Sequence, residues 1–139
     1  MRDGLFAGAA GALLSGAPST LITAAGRGNV LDSTRAVGRV VLGPDADGLP
    51  VLAAGAAAHA VISLGWGVVL EHSVPRGHEI VGGALAGLAI AAVDLGLIGR
   101  RLPAIAGLPG GREVLDHLAF GAVAGAVLSR RRAPVPDRR

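Results

Sequence analysis

The sequence predicts an all-α fold, an integral membrane bundle of four helices in a single domain formed by residues 1–132. Three observations indicate this fold. Alanine and glycine account for 50 of the 139 residues, and only 17% of the residues are charged, whereas a soluble domain has about 25%. The apolar residues fall into segments that lack the alternation of half-buried strands. Loops rich in proline, glycine and charge separate these segments, which are residues 5–25, 51–70, 80–98 and 114–128.

The segment lengths suit a bilayer. The first three have 21, 20 and 19 residues, and a membrane-spanning helix needs about 20. The fourth has 15 residues, so it rises about 22 Å and would cross a locally thinned bilayer. The alternative is a soluble Ala/Gly-rich bundle, whose helices would need polar outer faces. Residues 51–70 offer only His59 and Ser63 for such a face, which favours the membrane.

The first segment is interrupted by Pro18, and small residues recur along it at every fourth position. Such a stripe lets another backbone approach closely, which favours a helix that is retained. The alternative is a secretory signal peptide, with Arg2 as its basic region, residues 5–14 as its apolar region and cleavage after Ala25.

The long connection from residue 26 to residue 50 predicts a short interfacial helix. Asp32 is a suitable N-cap for it. Three valines then share one face, with arginines elsewhere, as in helices that lie in the membrane surface: Val37, Val40 and Val41. The last residues, 133–139, are charged and contain proline, and we expect a disordered basic tail.

Small residues also form stripes on the third and fourth segments, and these stripes predict close helix packing. In a chain this rich in alanine and glycine, the same spacing also arises by chance. The stripes do not distinguish packing within one chain from dimerisation. The predicted packing residues are Gly4, Gly8, Ala12 and Gly16, then Gly83 and Gly87, then Gly121 and Gly125.

Ionisable residues inside a span usually face the interior of a bundle. Asp94 lies four residues from the end of its segment, and His117 lies three residues from the start of the next. Since successive helices alternate in direction, the two side chains share one depth, and we predict that they are neighbours. The full predicted intramembrane cluster is His59, Ser63, Asp94, His117, Thr20 and Thr23.

Two interpretations of this cluster remain open. In the structural one, Asp94 pairs with Arg100 or Arg101 reaching back from the helix end, and Asp116 caps the first turn of the fourth helix. In the functional one, the cluster is a proton relay or a weak cation site. No spacing matches a known metal motif, so we predict neither a metal nor a cofactor.

The motifs of common catalytic sites are absent: HExxH, the P-loop, GxSxG and the dinucleotide fingerprint do not occur. We therefore expect no enzyme, the alternative being an intramembrane hydrolase using Ser63 and a histidine. Without cysteine there is no disulfide. The basic run Arg130–Arg132 lacks the interleaved aromatics of a nucleic-acid site. It follows an apolar segment, so we expect a lipid bilayer as its partner.

From residue 59 onward the chain has, in order, His59 with Ser63, Pro75, Gly83 with Gly87, Pro103, Gly107, Pro109, His117 and a closing arginine run. This order of features resembles the uncharacterised YagU-like bacterial inner-membrane proteins. Three stretches also resemble a set of small actinobacterial membrane proteins: residues 16–20, 33–36 and 88–101. Neither resemblance implies an activity or catalytic residues.

The predicted protein is thus a small multi-pass protein of the cell membrane. The side of the termini carries seven arginines and the other side six. We expect the termini in the cytoplasm because Arg130–Arg132 directly follow a span. Two functions stay open: a non-enzymatic component that packs with itself or with another membrane protein, and a small transporter or proton- or cation-conducting protein that uses the His/Asp cluster.

Overall fold

The computed structural model describes residues 1–26 and 28–133, and this part of the chain is helical with no strand, so the all-α prediction is confirmed. The α-helix Glu79–Ala91 continues into a π-helical segment, Ala92–Ile98, and a 3₁₀ turn, Gly99–Arg101. Of the predicted tail, residues 134–139 lie outside the described residues, as does Arg27. The α-helices are α1 Arg2–Leu14, α2 Ala17–Ala25, α3 Asp32–Leu42, α4 Gly48–Ser73, α5 Glu79–Ala91, α6 Pro103–Ala106 and α7 Gly110–Arg132.

Three helical stretches are long and apolar enough to span a membrane: Arg2–Ala25, Gly48–Ser73 and Glu79–Arg101. Helix α7 has 23 residues, a rise of about 34 Å, so it extends beyond the predicted segment 114–128 at both ends. Its charged residues cluster at those ends, and it is not one of the three candidate spans.

The long helices form an open row in the order α4, α1, α7, α5. Helix α1 packs antiparallel against α4 on one side and α7 on the other, and α5 packs antiparallel against α7. Within residues 1–26 and 28–133, α4 and α5 make no substantial contact with each other, and α4 touches α7 only slightly. The four-helix membrane bundle expected from the sequence is therefore not shown. In this part of the chain, α4 and α5 stand at the two ends of the row and do not close it into a ring.

The core lies between α1, α7 and their neighbours, with Ala7, Leu70, Phe120, Ala124 and Leu128 all buried. Large apolar side chains also cover much of the outer surface. Leu13 is 84% exposed, for example. An apolar surface of this extent is unusual for a soluble monomer and suits contact with lipid.

The first candidate span, Arg2–Ala25, is broken into two helices, α1 and α2. Pro18 cannot donate a backbone hydrogen bond, and it stands in the first turn of α2, where that bond is not needed. The chain therefore turns at Ser15 and Gly16 before α2 begins. This break creates a second helix N-terminus inside the first span.

Helix α3 packs along one side of α4, with Gly38 against the Val51 carbonyl and Gly55 against the Thr34 carbonyl. The sequence predicted this helix but not its partner. The prediction of Asp32 as its N-cap is wrong, because the cap position is Leu31 and no side chain caps the helix. Asp32 instead lies in the first turn, where its carboxylate is 3.6 Å from Arg35.

Candidate functional site

The polar zone of α7 is the candidate site. We define it as Arg112, Glu113, Asp116 and His117 with their partners on other helices. Helix α7 contacts α5, α1 and α2, so its side chains reach several neighbours. The zone lies at the N-terminal end of α7.

Asp94 and His117 face each other across the α5–α7 pair. Asp94 lies in the π-helical segment, and its Oδ2 atom is 3.6 Å from His117 Nε2. The other ring nitrogen, Nδ1, is 2.7 Å from the Glu113 carbonyl oxygen. The His117 side chain is 21% exposed and that of Asp94 is 26% exposed. Among the described residues, neither Arg100 nor Arg101 forms an ion pair with Asp94.

Asp116 caps the N-terminus of α2. The backbone N–H of Ser19 donates to Asp116 Oδ1 at 2.9 Å, and the Ser19 hydroxyl donates to the Gly16 carbonyl at 3.2 Å. A carboxylate is favourable there, because the free N–H groups of a helix start carry partial positive charge. Since α7 begins at Gly110, Asp116 lies beyond that helix's own first turn and serves another helix.

Glu113 joins α7 to the N-terminal end of α3, and Arg112 joins it to the C-terminal end of α2. The Ser33 hydroxyl donates to Glu113 Oε1 at 2.7 Å, and Arg112 donates to the Thr23 hydroxyl. Glu113 and Thr23 are both buried. Sequence reasoning missed both α7 residues because Gly110 and Gly111 resembled a loop. The signal was the acidic residue three positions after Gly110, as in the first turn of many helices.

The six residues of the predicted cluster do not assemble into one site. His59 is exposed on α4, and its Nε2 is 3.3 Å from the Ala12 carbonyl of α1. Ser63 is buried on the same α1–α4 interface, whereas Thr20 is exposed on α2. Because α4 and α5 stand at opposite ends of the row, His59 lies away from Asp94.

The predicted packing glycines occupy two interfaces. A Cβ atom on Gly4 or Gly8 would overlap the α4 backbone, and one on Gly16 would meet no atom within 4 Å. In the α5–α7 interface, Gly83 and Gly87 lie against the backbone of Gly121 and of His117, and Gly125 lies against that of Glu79 and Ile80. Sequence reasoning did not select several other close-packed glycines, among them Gly11, which meets the Phe120 ring, Gly38, Gly55 and Gly67.

A second polar region, which the sequence analysis also missed, lies where α1 begins and α7 ends. The Gly4 backbone N–H donates to Glu71 Oε2 at 2.6 Å. Arg132 donates to the Val74 carbonyl at 3.0 Å and lies 3.4 Å from Glu79 Oε1. Arg131 pairs with Asp3 at 2.5 Å. A depression of about 430 Å³ opens here to the surface, between residues 71–76 and Arg132.

No three His, Asp or Glu side chains in the described part of the chain are grouped to hold a metal ion. Comparisons with protein-family models, with curated proteins and with solved structures find no match to this chain.

Proposed function

We propose that this chain is a non-enzymatic component of a bacterial cell membrane that acts by assembling, either with copies of itself or with another membrane protein. One observation carries the proposal: the polar side chains of α7 are tied to neighbouring helices rather than directed into a cavity. Asp116 binds the backbone of α2, Glu113 binds Ser33 of α3, and Arg112 binds Thr23. Such ties hold helices together where water is scarce.

The broken first span supports the same proposal. In transporters, the N-terminus of a half-helix often points at an anionic substrate. Here the corresponding N-terminus, that of α2, is occupied by the protein's own carboxylate, Asp116. Two surface depressions, of about 300 and 430 Å³, are lined by residues near the other end of the helices, and neither is lined by Asp94 or His117.

The membrane placement follows from composition. Three apolar stretches are compatible with a membrane protein, and we propose that α7 crosses as the fourth span. The termini then lie on one side, the cytoplasmic one, where Arg130–Arg132 end α7. The resemblance to YagU-like inner-membrane proteins agrees with this placement.

A reconstitution experiment tests the proposal. Protein in proteoliposomes with a pH-sensitive dye inside should give no proton flux above empty vesicles. Mass measurement in nanodiscs should give an oligomer, or a complex with a membrane protein that copurifies from its native host. A monomer without partners, or a proton flux that Asp94→Asn abolishes, would contradict the assembly role.

The second candidate is a proton- or cation-conducting protein. It is favoured by the Asp94–His117 pair, which retains partial exposure at a π-helical segment, a feature that is frequent at functional sites. The same dye experiment separates the assembly role from proton conduction, because proton conduction requires a flux that depends on Asp94 and His117.

A further inference from the structure

The hydrogen bonds around His117 restrict the protons that its ring can carry. The Glu113 carbonyl oxygen can only accept, so His117 Nδ1, at 2.7 Å from it, carries a hydrogen. If the ring is neutral, Nε2 then presents a lone pair. That lone pair faces Asp94 Oδ2, 3.6 Å away, and an ionised carboxylate also offers only lone pairs.

One additional proton resolves this conflict. On His117 it makes an imidazolium beside a carboxylate, and on Asp94 it makes a carboxylic acid beside a neutral ring. In both cases the pair has no net charge. Without this proton the pair carries a net negative charge, and a second proton would leave it positive. Either charged state is costly in a region with little water.

No other charged group near the pair neutralises its net charge in the described part of the chain. On α7, Asp116 binds the Ser19 backbone, Glu113 binds Ser33 and Arg112 binds Thr23. Arg100 and Arg101 follow the π-helical segment but form no ion pair with Asp94 in the described part of the chain. Residues 80–93 contain no charged side chain, and neither does α2. The charged residues of α1 are Arg2 and Asp3, which lie at the opposite end of that helix, where Asp3 pairs with Arg131. Within residues 1–26 and 28–133, His117 is thus the one ionisable side chain that pairs with Asp94.

We propose that Asp94 and His117 form a binding site for one proton. When this proton is bound, the site joins the π-helical segment that follows α5 to α7. Proton loss leaves two acceptors facing each other and releases the end of α5 from α7. The site goes beyond the assembly role and does not depend on it, since it requires only the contact between these two helices.

The decisive measurement uses protein labelled with ¹⁵N at histidine, in lipid nanodiscs at neutral pH. We expect one of two results for His117. Either both ring nitrogens carry hydrogen, or only Nδ1 does and infrared spectra show a protonated carboxyl band that Asp94→Asn removes. A neutral ring beside an ionised Asp94, or a ring with hydrogen on Nε2 alone, would overturn the proposal. His59, His72 and His78 provide reference signals in the same sample.

A distance measurement tests the release. The chain has no cysteine, so spin labels can be placed at Leu97→Cys and Leu115→Cys, both exposed positions on the two elements. We expect a narrow distance distribution at neutral pH that broadens at strongly alkaline pH. The matched control is Asp94→Asn, whose amide can donate to Nε2 without titrating, so its distribution should stay narrow. Equal broadening in both proteins would contradict the proposal, and the histidine spectra of the wild type remain decisive if the variant does not fold.

Discussion

Two glycines of α4, Gly65 and Gly67, lie two residues apart and differ only in their surroundings. A Cβ atom on Gly67 would come within 2.6 Å of the Gly8 Cα atom, whereas one on Gly65 would meet no atom within 4 Å. Carbon atoms prefer separations of about 3.5–4.0 Å, so Gly67→Ala must push α1 and α4 apart by about 1 Å. Gly65→Ala requires no movement.

Both substitutions gain the same helix propensity, about 1 kcal/mol in water, so that gain cancels in the comparison. Overpacking costs about 1–3 kcal/mol. We therefore expect Gly67→Ala to be less stable than Gly65→Ala by about 1–3 kcal/mol, on the order of 5- to 150-fold in the folding equilibrium.

Reversible unfolding by SDS in mixed micelles, followed by circular dichroism, measures this difference. The ordering of the two variants is the critical result. If they unfold at the same SDS fraction, or if Gly65→Ala unfolds first, α1 and α4 do not pack through these glycines and the row of helices is wrong.

Four further predictions concern single contacts. Asp116→Ala should lower stability by about 0.5–2 kcal/mol in the same SDS titration, because α2 loses its cap. Asp116→Asn should cost less because it keeps a side-chain oxygen, and equal losses in the two variants would argue against capping. Arg132→Ala should lower the melting temperature more than Arg130→Ala, because Arg132 binds the Val74 carbonyl and Glu79 whereas Arg130 is exposed; the reverse order would contradict these contacts. In a double-mutant cycle, Asp94→Ala and His117→Ala should couple by about 0.5–3 kcal/mol, and His59→Ala should couple with neither. Additive effects of the first two substitutions would show that Asp94 and His117 do not interact. Gly38→Leu should speed amide exchange in residues 32–42 compared with the exposed Val40→Leu, since α3 loses its close approach to α4; unchanged exchange would place α3 elsewhere.

The depth of a residue could be predicted from the sequence more readily than its lateral position. Asp94 and His117 stand at similar distances from the ends of consecutive antiparallel helices, and the structure has them 3.6 Å apart. The sequence also predicts that His59 lies in one cluster with these two residues. It lies with Ala12 instead, because depth carries no information on which helices are neighbours.

The order of the helices could not be predicted from the sequence for a related reason. Small residues occur on most faces of these helices, so the stripes alone do not select a partner. Gly67 pairs with Gly8, and Gly11 accommodates Phe120, through a fit that only three-dimensional contacts reveal. The start of α7 was missed because Gly110 and Gly111 are weak helix formers in isolation. Its first turn is fixed by tertiary contacts of Arg112 and Glu113.

We propose that all four long helices, α7 included, cross a membrane. Single cysteines at Arg76, Arg130, Asp45 and Gly111 in the cysteine-free chain would be exposed to a membrane-impermeant maleimide in sealed vesicles of both orientations. We predict labelling of the Arg76 and Arg130 positions from one side and of the Asp45 and Gly111 positions from the other. Labelling of Gly111 and Arg130 from the same side would show that α7 does not cross and would contradict the account.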